Sequence, residues 1–73
     1  MTDLDSLQKI FGDSVRKARL LSNYSQEELA DAAGLDRSYL GSVERGERNV
    51  SLINIYKIAK ALNISTSELV KNF

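Results

Sequence analysis

A chain of 73 residues is expected to form a single domain spanning 1–73; folding at this size buries only about 60% of the unfolded chain's surface, so a second subunit would add useful stability. Its composition, 42% hydrophobic and 27% charged, excludes a disordered chain, and the absence of cysteine excludes a disulfide framework and a thiolate metal site. Ten basic residues balance ten acidic ones, so there is no bulk field of either sign. No apolar run approaches the roughly 18 residues of a membrane span, and the acidic start of the chain, with Asp3 and Asp5, is unlike a signal peptide, so a cytoplasmic location is expected.

With no proline, no internal repeat and no stretch of period-two alternation, the chain reads as helices throughout. The first helix is expected from about Asp5 to about Ser22, where Leu7, Phe11, Val15 and Ala18 recur on one face. Asn23, which tolerates the left-handed conformation, follows it. The second opens on a capping box made by Ser25 and Glu28, presents Leu29, Ala30 and Ala33 as a narrow apolar face, and stops at Gly34. The third has Asp36 as its N-cap, carries Arg37 to Arg45, and stops at Gly46. After a polar loop, the fourth is capped by Ser51 and runs to about Leu62. Its buried stripe is Leu52, Ile55, Ile58 or Ala59, and Leu62, with Ile53 and Tyr56 pointing elsewhere. The fifth begins at a second capping box, Ser65 with Glu68, and buries Leu69 and Val70; Phe73 is expected to fold back onto it. The fold class is therefore all-α, a compact bundle of five helices.

The segment from Gln26 to Arg45 carries the functional signal. Two short helices joined by about three residues that include a glycine make a helix-turn-helix, here over about 25–46, whose second helix is presented to the major groove of DNA. Ala30 is small where the helices cross, Gly34 supplies the positive φ that reverses the chain, and Leu35, Leu40 and Val43 lock the second helix from its core side. An ordinary helical hairpin needs only apolar stripes. Zero net charge argues the other way, since DNA-binding domains commonly carry a basic excess. The distribution softens that objection: Arg16, Lys17 and Arg19 cluster without an acid, and between Arg37 and Lys60 five basic residues stand against two acids.

On these residues the chain resembles the Cro and phage-repressor type of helix-turn-helix protein, a lambda-repressor-like DNA-binding domain, over about residues 7 to 70. Ser25 to Ala30 and Glu44 to Gly46 stand where that family has its usual motifs. The runs from Leu35 to Leu40 and from Val43 to Asn49 are most similar to the controller proteins of restriction–modification systems, which are small homodimeric regulators that act on their own operators. The resemblance implies that Arg37 reaches a guanine edge and that Ser38 contacts a base or phosphate. It places Ser42 one turn further along the groove, Gln26 as a clamp on the phosphate backbone at a helix start, and Arg48 and Asn49 as loop contacts. It also implies a buried ion pair between Arg19 and Glu44 that ties the first helix to the third. Tyr39 either contacts the sugar–phosphate backbone or covers the edge of the core. The competing interpretation of Arg37 is a solvated surface arginine, of Ser38 a residue bonded to its own backbone, and of Arg48 and Asn49 a polar turn. Gly41, which costs roughly 1 kcal/mol against alanine inside a helix, reflects close approach to DNA or to a neighbouring helix, or is simply tolerated. The chain departs from the family at Asn23, where glycine is common, and at Val50, where proline is common.

Ile53, Tyr56, Ile64 and Phe73 are apolar residues left over once each helix has filled one stripe; they either complete the monomer core or form an isologous two-fold interface. A homodimer is expected, because a single recognition helix reads too few base pairs, and it would set two such helices about 34 Å apart on a pseudo-palindromic site. The expected function is that of a sequence-specific DNA-binding transcriptional regulator of the controller kind, with double-stranded operator DNA as its partner. RNA polymerase is the candidate further partner, and no membrane is involved. The competing function is an antitoxin or adaptor-type protein-interaction module on the same scaffold, which zero net charge favours; an antitoxin commonly adds an extension that grips its toxin, and none is recognised here. An enzyme is not expected, since histidine, cysteine, a glycine-rich phosphate loop and a metal-ligand cluster are all missing; no cofactor and no metal are implied.

Overall fold

The structure is a computed structural model that describes residues 3–73. Its helices are α1 (Leu4–Leu21), α2 (Gln26–Ala33), α3 (Arg37–Glu44), α4 (Leu52–Ala61) and α5 (Thr66–Leu69), so the expected elements are all present, with ends that agree to one residue. Each begins on a side chain that accepts a hydrogen bond from an otherwise unpaired first-turn N–H: Asp3, Ser25, Asp36, Ser51 and Ser65. The cap by Asp3 was not foreseen. At Ser25 the capping box is complete, with Glu28 N–H donating to Ser25 Oγ at 3.0 Å and Ser25 N–H to Glu28 Oε1 at 2.8 Å. The box expected at Ser65 is only half formed. Ser65 Oγ accepts from Glu68 N–H at 3.1 Å, but the Glu68 carboxylate turns to Lys71 Nζ at 2.7 Å, the stronger charged partner. Asn23 is left-handed at φ 61°, as expected, and Asn63 ends α4 the same way at φ 57°.

Phe11, Val15, Leu29, Leu40, Val43, Ile58 and Leu69 meet in one core, to which every helix contributes. The helix-turn-helix is held from below by α1 and from the side by α4, since α1 packs on α3 and α2 packs on both α3 and α4. The α1–α3 crossing is close enough to require glycine at position 12, where a methyl group would collide with the carbonyl oxygens of Val43 and Glu44. Gly46, where the chain leaves α3, has φ +77° and lies so close to α1 that a methyl group would stand 2.8 Å from Lys9 Cα.

Two expectations about packing are corrected. Leu52 is 76% exposed rather than buried, because α4 begins beyond the edge of the core; helical periodicity gives the face of a helix, not the place where the layer beneath it ends. Phe73 was expected on α5, but its ring turns toward Phe11 of α1, with centroids 6.2 Å apart, and stays 61% exposed. Of the four candidate interface residues, Ile64 packs against the core, whereas Ile53, Tyr56 and Phe73 remain 67%, 56% and 61% exposed. Among the described residues no helix is long and apolar enough to cross a membrane.

Candidate nucleic-acid interface

The reversal between α2 and α3 is made by Gly34, at φ 69° and ψ 34°, and is closed by a hydrogen bond from Leu35 N–H to Ala30 O at 2.8 Å. Leu40 and Val43 are fully buried, which fixes the rotation of α3 about its axis and leaves Arg37 and Ser38 exposed at its first turn. Asp36 caps that turn by accepting from the N–H groups of Ser38 at 3.0 Å and Tyr39 at 3.3 Å. The backbone of Ser38 is therefore satisfied by its neighbour, and its hydroxyl stays free of that task.

Behind this surface lies a continuous polar chain. Arg19 Nε donates to Glu44 Oε2 at 2.7 Å and Arg19 Nη2 to Glu44 Oε1 at 3.0 Å, while its Nη1 donates to Tyr24 O at 3.0 Å. The ion pair implied by the resemblance is present and buried, with side chains 11% and 3% exposed. Hydrogen bonding to Glu44 raises Arg19 above the ordinary arginine value, against burial, which lowers it. Gln26 Nε2 donates to Glu44 Oε1 at 3.1 Å, and Gln26 Oε1 accepts from Arg37 Nη1 at 3.4 Å. The first residue of α2 and the first residue of α3 are thus joined side chain to side chain, on a foundation anchored in α1.

A second support lies at the other end of α3. Ser42, expected to face the groove, is 4% exposed and faces inward. Its Oγ donates to Tyr39 O at 2.6 Å and accepts from Arg48 Nε at 2.9 Å. The physical reason is its place beside Val43 on the core side of α3, where an unpaired hydroxyl would be costly and a serine finds two partners. The Arg48 guanidinium also lies over the Tyr39 ring, 5.8 Å from its centroid, and Asn54 Nδ2 donates to Tyr39 Oη at 3.2 Å. Tyr39 is half-buried and bridges α3, α4 and the loop; Asn49 is exposed next to Arg48.

The sequence profile of the helix-turn-helix family matches residues 15–69. The chain belongs to the helix-turn-helix family. It is 48% identical to the control protein C.SmaI of Serratia marcescens over 88% of this chain and 76% of that one. It is also 48% identical to the control protein C.BamHI of Bacillus amyloliquefaciens, over 90% and 83% of the two chains. Among solved structures, the restriction–modification controller protein C.AhdI of Aeromonas hydrophila superposes with a TM-score of 0.83 at 55% identity, covering 85% of this chain and 94% of that one. The chain is a DNA-binding transcriptional regulator of the controller type.

In this helix-turn-helix regulator, several participants were not legible beforehand. Asn54 is an ordinary polar residue in the sequence and Ser42 was expected in the groove; only the packing shows them holding Tyr39 and Arg48. Arg45 is half of an exposed bidentate pair with Glu47, at 3.0 and 3.1 Å; that pairing raises Arg45 and lowers Glu47 from their ordinary values. Gly41 is not demanded by a neighbouring helix: a methyl group there would meet only the side-chain tips of Arg45, at 3.3 Å, and Gln26, at 3.6 Å.

Proposed function

We propose that residues 1–73 act as one DNA-binding domain, which pairs with a second copy and occupies a pseudo-palindromic operator with its two α3 helices in successive major grooves. One observation carries this assignment. Arg37 projects from the first turn of α3 and meets Gln26, the first residue of α2, at 3.4 Å, with Ser38 exposed next to it in the chain, so a guanidinium and the N-terminus of α2 are offered to the same ligand. In this assignment Arg37 reads a guanine edge and Ser38 a base or phosphate, while the N–H groups at the start of α2 hold a phosphate. Tyr39, Arg48 and Asn49 contact the backbone on the far side. The exposed apolar residues of α4, Ile53 and Tyr56 with Leu52, form the two-fold interface. Regulation then comes from occupancy and requires no catalysis; it takes place on DNA in the cytoplasm, alongside RNA polymerase where the operator adjoins a promoter. The similarity to proteins named as controllers of restriction–modification systems supports an operator next to genes of that kind.

The test is selection of the purified protein against a randomised duplex pool at near-physiological salt. Enrichment of a two-fold symmetric sequence with half-sites about 34 Å apart, or a multiple of that, is expected. Weak, salt-sensitive binding without enrichment would contradict it, because that is the behaviour of backbone contacts alone.

A further inference from the structure

Arg45 closes α3 as its C-cap, and its side chain folds back along the helix. A methyl group at Gly41 would stand 3.3 Å from Arg45 Nη1 and 3.6 Å from Gln26 Oε1. That same oxygen accepts from Arg37 Nη1 at 3.4 Å. The Arg45 guanidinium therefore lies on the face of α3 that carries Arg37. Its charge is not free. Nε and Nη2 donate to the two carboxylate oxygens of Glu47 at 3.0 and 3.1 Å. This fork is also the geometry in which an arginine receives a phosphate. Other N–H groups of Arg45 remain, but a phosphate brought to them would share the guanidinium with a carboxylate and meet its repulsion. The pair is not a prop of the fold: with side chains 61% and 56% exposed, it adds little to stability.

We infer that Arg45 is a phosphate-binding residue of the DNA interface and that Glu47 is its internal competitor, filling the site in the free protein and leaving it when the DNA backbone arrives. This rests on the reading of α3 as the helix that faces DNA. An exposed pair of this kind is weak enough to open, and the arriving phosphate is backed by the charge of its neighbours along the strand. The exchange costs the pair that it breaks, so Glu47 lowers affinity. It does so for every sequence, because phosphate contacts carry no sequence information.

The experiment measures affinities of wild type, Glu47→Gln, Arg45→Ala and the double variant for one duplex of mixed sequence, over a series of salt concentrations. Both side chains are exposed, so the variants leave the core intact. Glu47→Gln is expected to bind about two- to fivefold more tightly, the worth of an exposed pair. Its salt dependence should be steeper by about one unit, because in the wild type the released carboxylate recovers a cation from solution. Arg45→Ala should bind more weakly with a shallower salt dependence, and adding Glu47→Gln to it should then change little. An equal gain from Glu47→Gln with and without Arg45 would overturn the inference, since that is plain repulsion between a carboxylate and DNA. An Arg45→Ala variant that binds as the wild type does would overturn it too, and reduce the pair to a surface contact. A wild type that binds no duplex would instead remove the reading of α3 itself, and the inference with it.

Discussion

Arg19 grips Glu44 through two nitrogens, at 2.7 and 3.0 Å, and so joins the end of α1 to the end of α3 beneath the recognition surface. Because both side chains are buried, removing one partner leaves an uncompensated charge. Glu44→Ala is expected to cost about 3–5 kcal/mol, and each 1 kcal/mol lowers Tm by about 4–8 °C in a domain of this size. The double substitution Arg19→Met with Glu44→Leu should cost less than either single change, because it removes both charges together. Thermal unfolding of the three variants checks this; additive losses would show that the pair is not coupled.

Gly41 sits inside α3 with no backbone nearby that excludes a side chain. Gly41→Ala is therefore expected to stabilise the free protein by roughly 1 kcal/mol, the helix-propensity difference. The same change is expected to weaken DNA binding, because a methyl group between Gln26 and Arg45 crowds the ligand-facing side. Tm and affinity moving in opposite directions is the expected result. A stabilised variant that binds normally would show that the glycine is merely tolerated.

Ile53 lies in the first turn of α4 and is 67% exposed, so it contributes little to the monomer. Ile53→Asp is compatible with the helix, since a carboxylate near an N-terminus suits the dipole. At a two-fold interface it places two like charges in apolar surroundings. Sedimentation equilibrium should show a monomer of unchanged helicity, with at least a tenfold loss of affinity for a two-half-site duplex. An unchanged dimer would move the interface elsewhere.

Three exposed carboxylates are held below their ordinary values. Bonding to Ser25 lowers Glu28, bonding to Arg45 lowers Glu47, and bonding to Ser6 lowers Asp3. Depressed folded values mean that their stabilisation is fully present above the unfolded values, 4.5 for glutamate and 3.8 for aspartate, and is lost as pH falls through the folded ones. Tm should hold steady from about pH 7 to about pH 5 and then decline. Glu28→Gln keeps the capping geometry without the titration and should reduce that decline. A profile identical to that of the parent would remove Glu28 from the account.

Local rules carried most of the fold. Ser25, Asp36 and Ser51 announce helix starts through chemistry that needs no tertiary context, and Gly34 marks the reversal because few residues accept its φ. What was not legible depends on where layers end and which hydroxyl finds a partner. Leu52 obeys the periodicity of α4 and still meets solvent, and Ser42 looks like a groove residue at one-turn spacing from Ser38 yet braces Arg48. Gly12 gave no signal at all, because its need for a missing side chain arises only when α3 is laid across α1. Gln26 begins α2 as its place after the Ser25 cap dictates, but the direction of its amide is set by Glu44, a residue 18 positions away.

The most direct test of the central claim compares wild type with Arg37→Ala on every single-base-pair variant of the duplex enriched by selection. The account predicts that the variant loses about 1–3 kcal/mol on the parent duplex and becomes indifferent to one base pair in each half-site, with other preferences retained. A uniform loss across all duplexes, with every preference intact, would contradict it and reduce Arg37 to a backbone contact.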